Sequence, residues 1–78
     1  MKDMFSTCYL FNRDISGWNV SNVDNFDKTF YSADAFNQNI GSWNTSSATN
    51  MYRMFYSCND FDQYIGNWDV SNVTNMES

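Results

Sequence analysis

Apolar residues recur in the same order every 25 residues along the chain, without an insertion or a deletion. Superposing the chain on itself at this spacing aligns whole columns of identical side chains. The columns are Phe5, Phe30 and Phe55; Phe11, Phe36 and Phe61; Ile15, Ile40 and Ile65; Trp18, Trp43 and Trp68; and Asn25, Asn50 and Asn75. Such a period is typical of proteins in which each repeat stacks on the next. We therefore predict a single repeat array over residues 1–78, with repeats near 1–25, 26–50 and 51–75 and a fourth beginning at 76.

Within one repeat the hydrophobic pattern first favours a short helix. Val23, Phe26, Phe30 and Ala33 follow steps of three and four residues, which is the apolar stripe of an amphipathic helix. Ser21 precedes this stretch and can cap the free backbone N–H groups of a first helical turn. The same pattern in each copy predicts one short helix per repeat.

The second half of the repeat favours extended chain. Trp43 and Thr45 alternate with the polar Asn44, which is typical of a short strand, and Gly41 suits a bend before it. Each repeat would then contribute one helix and one or two short strands to a parallel sheet. The predicted fold class is an α/β solenoid of three 25-residue repeats.

The repeated columns predict ladders of stacked side chains inside such a coil. The Phe, Ile and Trp columns would fill the interior, because identical positions of successive repeats lie next to each other. The amides of Asn25, Asn50 and Asn75 are interpreted as a ladder that satisfies backbone groups left unpaired by tight turns. The alternative for these three residues is a ligand site.

Charge and composition exclude several functions. The chain has 78 residues, a net charge of −5 and no histidine. Nucleic acid and anionic membrane surfaces are poor partners for it, because both require a basic patch. No apolar run is long enough for membrane insertion, and the N-terminus lacks a signal-peptide core. A secreted chain would need its signal on a longer precursor, or another route of export.

Catalytic and cofactor-binding motifs are missing from the sequence. Without histidine, neither a Ser-His-Asp nor a Cys-His arrangement can form. The three glycines lie one per repeat and form no phosphate-binding loop. The column Asn12, Asn37 and Asp62 carries oxygen ligands but too few carboxylates for calcium. We predict no enzymatic activity, no cofactor and no metal.

The two cysteines occupy the same column two repeats apart, with Ala33 between Cys8 and Cys58. Neighbouring turns lie about 5 Å apart, so two steps separate the backbones by about 10 Å. A disulfide requires Cα atoms within about 7 Å. We therefore expect two free thiols that behave as small buried residues, like the alanine between them.

Tyrosines occupy columns that otherwise carry polar residues, so they are expected at the surface. Tyr52 and Tyr56 lie four residues apart in the predicted second helix, and Tyr31 precedes Tyr56 by one repeat. These three residues would cluster on one outer face. Exposed tyrosine is enriched at protein interfaces, so they are the candidate protein-binding residues. The alternative is that they only shield the helical face from water.

The repeat itself resembles a known family. The string Met-Phe-x-x-Cys/Ala-x-x-Phe-Asn-x-x-Ile-x-x-Trp-Asp/Asn-Val-Ser-Asn-Val-Thr-Asn-Met runs over 4–26, 29–51 and 54–76. It is similar to the 25-residue repeat of BspA-like bacterial surface proteins and lipoproteins. The resemblance implies a leucine-rich-repeat-like, right-handed coil on the cell surface or outside the cell, used for protein binding or adhesion. Departures such as Thr29, Thr45 and Ala48 make the middle copy slightly less apolar.

Two functions remain open. In the first, the chain is a non-catalytic module of a surface protein and binds another protein. In the second, it is a structural subunit that stacks head to tail on further copies of itself. No polar capping repeat marks either end of the sequence, and uncapped ends would expose aromatic cross-sections. The first is expected if the chain is a segment of a longer protein, the second if it is complete.

Overall fold

The fold is built from turns. In the computed structural model, which describes residues 1–76, no helix is formed and strand pairing is limited to isolated bridges. These parallel bridges join Asn25 to Asn50 and Asn50 to Asn75. The prediction of an α/β solenoid with a helix and a parallel sheet, leucine-rich-repeat-like and right-handed, is therefore wrong. The molecule measures 30 × 23 × 19 Å, and its radius of gyration of 11.3 Å is close to the roughly 11.5 Å expected of a compact globule this long.

Overlapping β-turns replace the predicted helix. The N–H groups of Thr29, Tyr31 and Ala33 each donate to the carbonyl three residues earlier, at 3.0–3.1 Å. A helix would require each successive N–H to bond to the carbonyl four residues earlier. Here only every second N–H is bonded locally, so the chain advances as a series of turns. Apolar spacings of three and four fit both arrangements, which is why the pattern indicated a helix.

The remaining N–H groups point to the following repeat. Phe26 donates to the carbonyl of Asn50 at 2.7 Å, and Phe30 donates to Met54 at 2.9 Å. Lys28 and Ser32 make the same bonds, as do Asp3, Phe5 and Thr7 in the first repeat. Because the backbone groups between Phe26 and Ser32 alternate between local and inter-repeat partners, this buried stretch satisfies its polar groups without helix or sheet.

Six non-glycine residues with positive φ make these turns possible. They sit at the third position of their turns, where type II geometry requires a left-handed backbone. The φ angles lie between 49° and 59° at Asp3, Thr7, Lys28, Ser32, Arg53 and Ser57. Two left-handed residues four positions apart in each repeat are incompatible with a continuous right-handed helix over this stretch.

The predicted strand around Trp43 is also a turn. The N–H of Trp43 donates to the carbonyl of Ile40 at 3.1 Å, and that of Ala48 donates to Thr45 at 2.9 Å. Between them, the side-chain oxygen of Asn44 accepts the N–H of Ser46 at 3.1 Å and its hydroxyl at 2.7 Å. Such an Asx-turn bends the chain locally. Extended ladder pairing cannot develop across this corner.

The core lies between the repeats and is fullest in the middle one. Phe26, Phe30, Phe36 and Ile40 have no exposed surface. Partly buried residues of the first and third repeats cover this centre from both sides. Within residues 1–76 the first and third repeats each pack on a neighbouring repeat from one side, so this part of the chain has two end faces and a lateral surface.

Candidate functional site

The lateral surface carries an aromatic and basic cluster that we call the tyrosine face, formed by Tyr31, Tyr52, Tyr56, Lys28 and Arg53. The rings of Tyr31 and Tyr56 stack at 5.1 Å with an interplanar angle of 9°. The guanidinium of Arg53 lies 5.1 Å from the ring centres of both Tyr52 and Tyr56. The ammonium of Lys28 lies 5.7 Å from the ring of Tyr52. The structure thus brings the three candidate tyrosines together.

The turns, and not a helix, position the tyrosine face. Tyr31 and Tyr56 occupy the same position in successive repeats, so stacking of the repeats stacks their rings. Tyr52 lies within the turn from Met51 to Met54, in which Arg53 adopts its positive φ of 49°. Tyr56 follows this turn, and the arginine lies against both rings. Tyr56 is exposed, whereas Tyr31 and Tyr52 are half-buried. The rings are therefore held by neighbours on one side and open to solvent on the other.

The cations of this face were missed by reasoning from the sequence. Lys28 and Arg53 occupy one column, directly beside the column of Asp27 and Tyr52. Arg53 directly follows Tyr52 and Lys28 holds the same column one repeat earlier, which is the signal that could have identified them, since cations favour the face of an aromatic ring. The other tyrosines, Tyr9 and Tyr64, are 57% and 73% exposed and have no ring or cation partner among residues 1–76.

The aromatic columns proposed as ladders lie in register. Phe30 stacks at 5.6 Å on both Phe5 and Phe55, with ring planes within 8°. Phe36 lies 5.8 Å from Phe11 and 5.9 Å from Phe61. These contacts link all three repeats through two continuous aromatic columns.

The tryptophan column is fixed by hydrogen bonds as well as by stacking. The Nε1–H of Trp43 donates to the carbonyl of Ile15 at 3.1 Å, and that of Trp68 donates to Ile40 at 3.0 Å. Trp43 and Trp68 stack at 6.4 Å. Trp18 lies 5.8 Å from the ring of Phe5 but stacks on no other tryptophan within residues 1–76, and it is 45% exposed. Of the isoleucines, Ile15 and Ile40 are buried and Ile65 is half-buried.

The asparagine ladder binds backbone. The Oδ1 atoms of Asn25 and Asn50 accept the N–H of Asp27 and Tyr52, each at 2.9 Å, and Asn75 continues the bridge series. The carbonyl of Asn25 also accepts the chain N-terminus at 3.1 Å. These contacts agree with the structural interpretation of the column, because the amides are already engaged within the protein.

A second amide ladder occupies the column that we considered for calcium. The Oδ1 of Asn12 accepts the N–H of Asn37 at 2.8 Å and the Nε2–H of Gln38 at 3.0 Å. One repeat later, the Oδ1 of Asn37 accepts the N–H of Asp62 at 2.9 Å and the Nε2–H of Gln63 at 2.9 Å. Within residues 1–76 no group of three acidic, cysteine or histidine side chains is placed to hold a metal ion.

Both cysteines are free thiols, but they differ in environment. Cys8 is exposed, so the expectation that it would be buried is wrong. The column is interior only where repeats flank it on both sides, as at Ala33, which is fully buried. Cys58 is half-buried, and its S–H donates to the carbonyl of Phe30 at 2.6 Å. Burial raises the pKa of the Cys58 thiol to about 11.

An apolar groove opens at the end face of the third repeat, and we call it the end groove. Its volume is about 420 Å³. The lining residues are Met51, Met54, Phe55, Ile65, Gly66, Trp68, Val70 and Met76. Their counterparts one repeat earlier include Phe26, Phe30, Ile40 and Trp43, which the third repeat covers. Among residues 1–76 the groove is thus the same inter-repeat surface in uncovered form.

Comparison with models of known protein families identifies a family for the chain. A model of the family described as Mycoplasma protein of unknown function, DUF285, matches residues 1–78. The chain belongs to this family. Neither a curated protein nor a solved structure matches it.

The DUF285 family description names no activity or ligand. The resemblance to BspA-like proteins, and the surface location that it implies, therefore stay predictions. The part of the chain described here contains no helix with the length and apolar character needed to cross a membrane.

Proposed function

We propose that this DUF285 chain is a non-catalytic protein-binding module and that the tyrosine face contacts the partner. The observation that supports the proposal is the stacked pair of Tyr31 and Tyr56, braced by the guanidinium of Arg53 at 5.1 Å from Tyr56. Rings that are already held in place lose little conformational entropy when a partner covers them. Tyrosine and arginine are also the residue types that most often dominate binding energy at protein interfaces.

The charge of the tyrosine face indicates the chemistry of the partner. Two of the four basic residues of the chain, Lys28 and Arg53, lie here, although the chain as a whole has a net charge of −5. A locally basic, aromatic surface on an acidic protein is complementary to an acidic polypeptide segment. We therefore favour a protein ligand with carboxylates near its own apolar contact residues.

The proposed setting is the bacterial cell surface, where the module would serve adhesion. This part of the proposal derives from the resemblance of the repeat to BspA-like surface proteins. It is consistent with a lateral surface that presents binding residues while the core is occupied by structural columns.

The experiment compares tyrosines inside and outside the face. Peptides selected from a displayed library enriched in Asp and Glu are measured for their affinity to the wild type and to two variants. Replacing Tyr31, Tyr52 and Tyr56 by Ser should weaken binding at least tenfold. Replacing Tyr9 and Tyr64 by Ser removes exposed tyrosine elsewhere and should leave affinity unchanged.

Thermal melts followed by circular dichroism control for folding in both variants. The proposal fails if the two variants bind equally well, or if the selection yields no peptide whose affinity depends on the three tyrosines.

The second candidate function is assembly with further copies of the chain. The end groove favours it, because this apolar surface is of the kind that the repeats use to bind each other within the molecule.

A further inference from the structure

The chain contains three triplets of the form Asn-x-Ser/Thr. They are Asn19-Val20-Ser21, Asn44-Thr45-Ser46 and Asn72-Val73-Thr74. An asparagine in such a triplet accepts a sugar on its side-chain nitrogen when it lies at the surface of a protein. Because short triplets also arise by chance, the local structure has to show which of these asparagines is available.

Asn44 lies on an exposed corner of the middle repeat. This repeat packs against another repeat on either side, and yet the Asn44 side chain is exposed. Its neighbours in sequence are buried, with Trp43 4% exposed and Thr45 1% exposed. The Oγ1–H of Thr45 also donates to the carbonyl of Asp69 at 3.1 Å. These contacts hold the corner in place and leave Asn44 on the lateral surface, independently of either end face.

The hydroxyl of this triplet lies against the side-chain oxygen of its asparagine. The Oγ–H of Ser46 donates to the Oδ1 of Asn44 at 2.7 Å, and the N–H of Ser46 donates to it at 3.1 Å. The Nδ2 of Asn44 has no acceptor among residues 1–76. Two donors stabilise the negative charge that Oδ1 acquires when Nδ2 gives up a proton. The turn therefore favours Nδ2 as a nucleophile.

The same turn occurs in the other two repeats. The Oδ1 of Asn19 accepts the hydroxyl of Ser21 at 2.7 Å and its N–H at 3.0 Å. In the third repeat, a carboxylate oxygen of Asp69 accepts the hydroxyl of Ser71 at 2.6 Å. Since a carboxylate makes this turn as well as an amide does, the side-chain nitrogens of Asn19 and Asn44 are not required for it. Those nitrogens remain available for a reaction.

Asn72 is exposed but its triplet has a different geometry. The Nδ2 of Asn72 donates to the carbonyl of Ser46 at 2.9 Å, so its nitrogen is already engaged. The hydroxyl of Thr74 donates to the carbonyl of Thr49 at 3.3 Å and not to the side chain of Asn72. The folded chain thus distinguishes this triplet from the other two.

We propose that Asn19 and Asn44 are acceptor sites for an N-linked sugar that is donated as a glycosyl diphosphate. In the transfer, Nδ2 forms a bond to the anomeric carbon of the sugar. The bond between this carbon and the diphosphate oxygen breaks, and the diphosphate leaves with the electron pair. Nδ2 loses one proton to a base of the transferase, which is a separate protein. The inter-repeat contacts of the acceptor chain stay unchanged, because neither nitrogen takes part in them.

Tryptic digestion separates the three sites for the first measurement. Cleavage after Arg13, Lys28 and Arg53 places each triplet on a peptide of its own. The full chain is isolated from the bacterium that encodes it, and its peptides are fragmented in a mass spectrometer. Peptides that begin at Asp14 and Thr29 should carry a sugar on asparagine. The peptide that begins at Met54 should not carry one.

Four variants of the full chain, expressed in the same bacterium, test the role of the turn. Asn44→Asp keeps the turn, as Asp69 shows, and should remove the sugar from its peptide without changing the thermal melt. Ser46→Ala should lower the modified fraction at Asn44 by about tenfold, because the donor to Oδ1 is lost, whereas Ser46→Thr should retain it. Asp69→Asn adds an amide to the third turn and should create a new modified site on the peptide that begins at Met54.

The source of the sugar is identified with unmodified chain and fractions of the bacterial lysate. Transfer from a labelled nucleoside diphosphate sugar by the soluble fraction would indicate a nucleotide-linked donor. Transfer that requires addition of the lipid-linked sugars would indicate a polyprenyl diphosphate donor. The proposal is overturned if Asn44 carries no sugar in the isolated chain, if sugar is found only on serine or threonine, or if Asn72 is modified to the same extent as Asn44.

Discussion

The middle repeat and the first repeat have nearly the same apolar columns but very different burial. Phe30, Phe36 and Trp43 of the middle repeat are 0%, 0% and 4% exposed. Their counterparts Phe5 and Phe11 are only half-buried, and Trp18 is 45% exposed. Because the side chains are identical, the difference arises from the number of neighbouring repeats. Burial in this fold is a property of the stack more than of any one repeat.

The same comparison explains the polar residues of the middle repeat. Thr29 and Thr45 are almost completely buried, in columns that otherwise carry methionine or valine. The Oγ1–H of Thr29 donates to the carbonyl of Phe26 at 2.9 Å, and that of Thr45 donates to Asp69 at 3.1 Å. A buried hydroxyl with a partner costs little. The repeat that is least apolar in sequence can therefore occupy the centre.

The largest expected difference between the repeats is in the cost of removing a ring. Phe30→Ala should lower the free energy of unfolding by about 4 kcal/mol, because it leaves a cavity between two stacked rings. Phe5→Ala should cost about half as much, since Phe5 stacks on a phenylalanine of only one neighbouring repeat and is partly solvated. Urea denaturation measures both values, with Phe30→Leu as a milder variant if Phe30→Ala does not fold.

Equal costs at Phe30 and Phe5 would show that the end repeats are as fully supported as the middle one. They would therefore contradict the difference in burial between the middle repeat and the first repeat.

The next largest effect concerns close approach between repeats. A Cβ at Gly41 would lie 2.5 Å from the backbone oxygen of Tyr64 in the following repeat. Gly41→Ala should therefore destabilise the protein by about 1–3 kcal/mol, the usual cost of overpacking. Gly17→Ala is the matched control, because nothing lies within 4 Å of its Cβ position, and neither glycine has a positive φ. Thermal melts that shift equally for both variants would contradict the close inter-repeat contact.

The smallest expected effect is a difference between the repeats in how their turns respond to pH. The hydroxyl and the N–H of Ser71 hold the pKa of Asp69 below its usual value of 3.8, and Ser16 lowers the pKa of Asp14 in the same way. Since the folded state lowers these pKa values, the stabilisation is complete above pH 3.8 and is lost as the pH falls through the lowered pKa. In the middle repeat Asn44 makes the turn equivalent to that of Asp69 and Asn39 makes the turn equivalent to that of Asp14, and neither amide can titrate.

An NMR titration checks this difference. The amide resonances of Ser16 and Ser71 should move with midpoints below 3.8, while that of Ser46 should not follow them. Asp69→Asn preserves the turn and should abolish the titration at Ser71. A midpoint at or above 3.8 for Ser71 would show that the folded state does not favour the carboxylate.

Part of the architecture could be predicted from the sequence. The exact 25-residue period identified which side chains meet, and rings such as Phe30 and Phe55 do stack. The tyrosines were expected together on a surface, although the helix assumed to bring Tyr52 and Tyr56 together does not exist. These inferences depend only on registration between repeats, which is independent of the local backbone conformation.

The local conformation could not be predicted from the apolar pattern. Steps of three and four residues fit both a helix and a series of turns, and the decision depends on left-handed residues such as Lys28 and Ser32. Neither is a glycine, so the sequence gives no sign of a positive φ there. The basic residues of the tyrosine face were missed for a related reason, because Arg53 meets both rings only through its turn.

The uniform direction of the inter-repeat hydrogen bonds also bears on how such a chain can change in length. Every repeat offers the same donors to its successor and the same acceptors to its predecessor. An in-frame duplication of one repeat would therefore already carry both surfaces that pack against its neighbours. The inserted copy would pack against the same columns of side chains in the preceding and the following repeat. Gain or loss of whole repeats should therefore be tolerated more readily in evolution than an insertion of a few residues, which would move every column out of line.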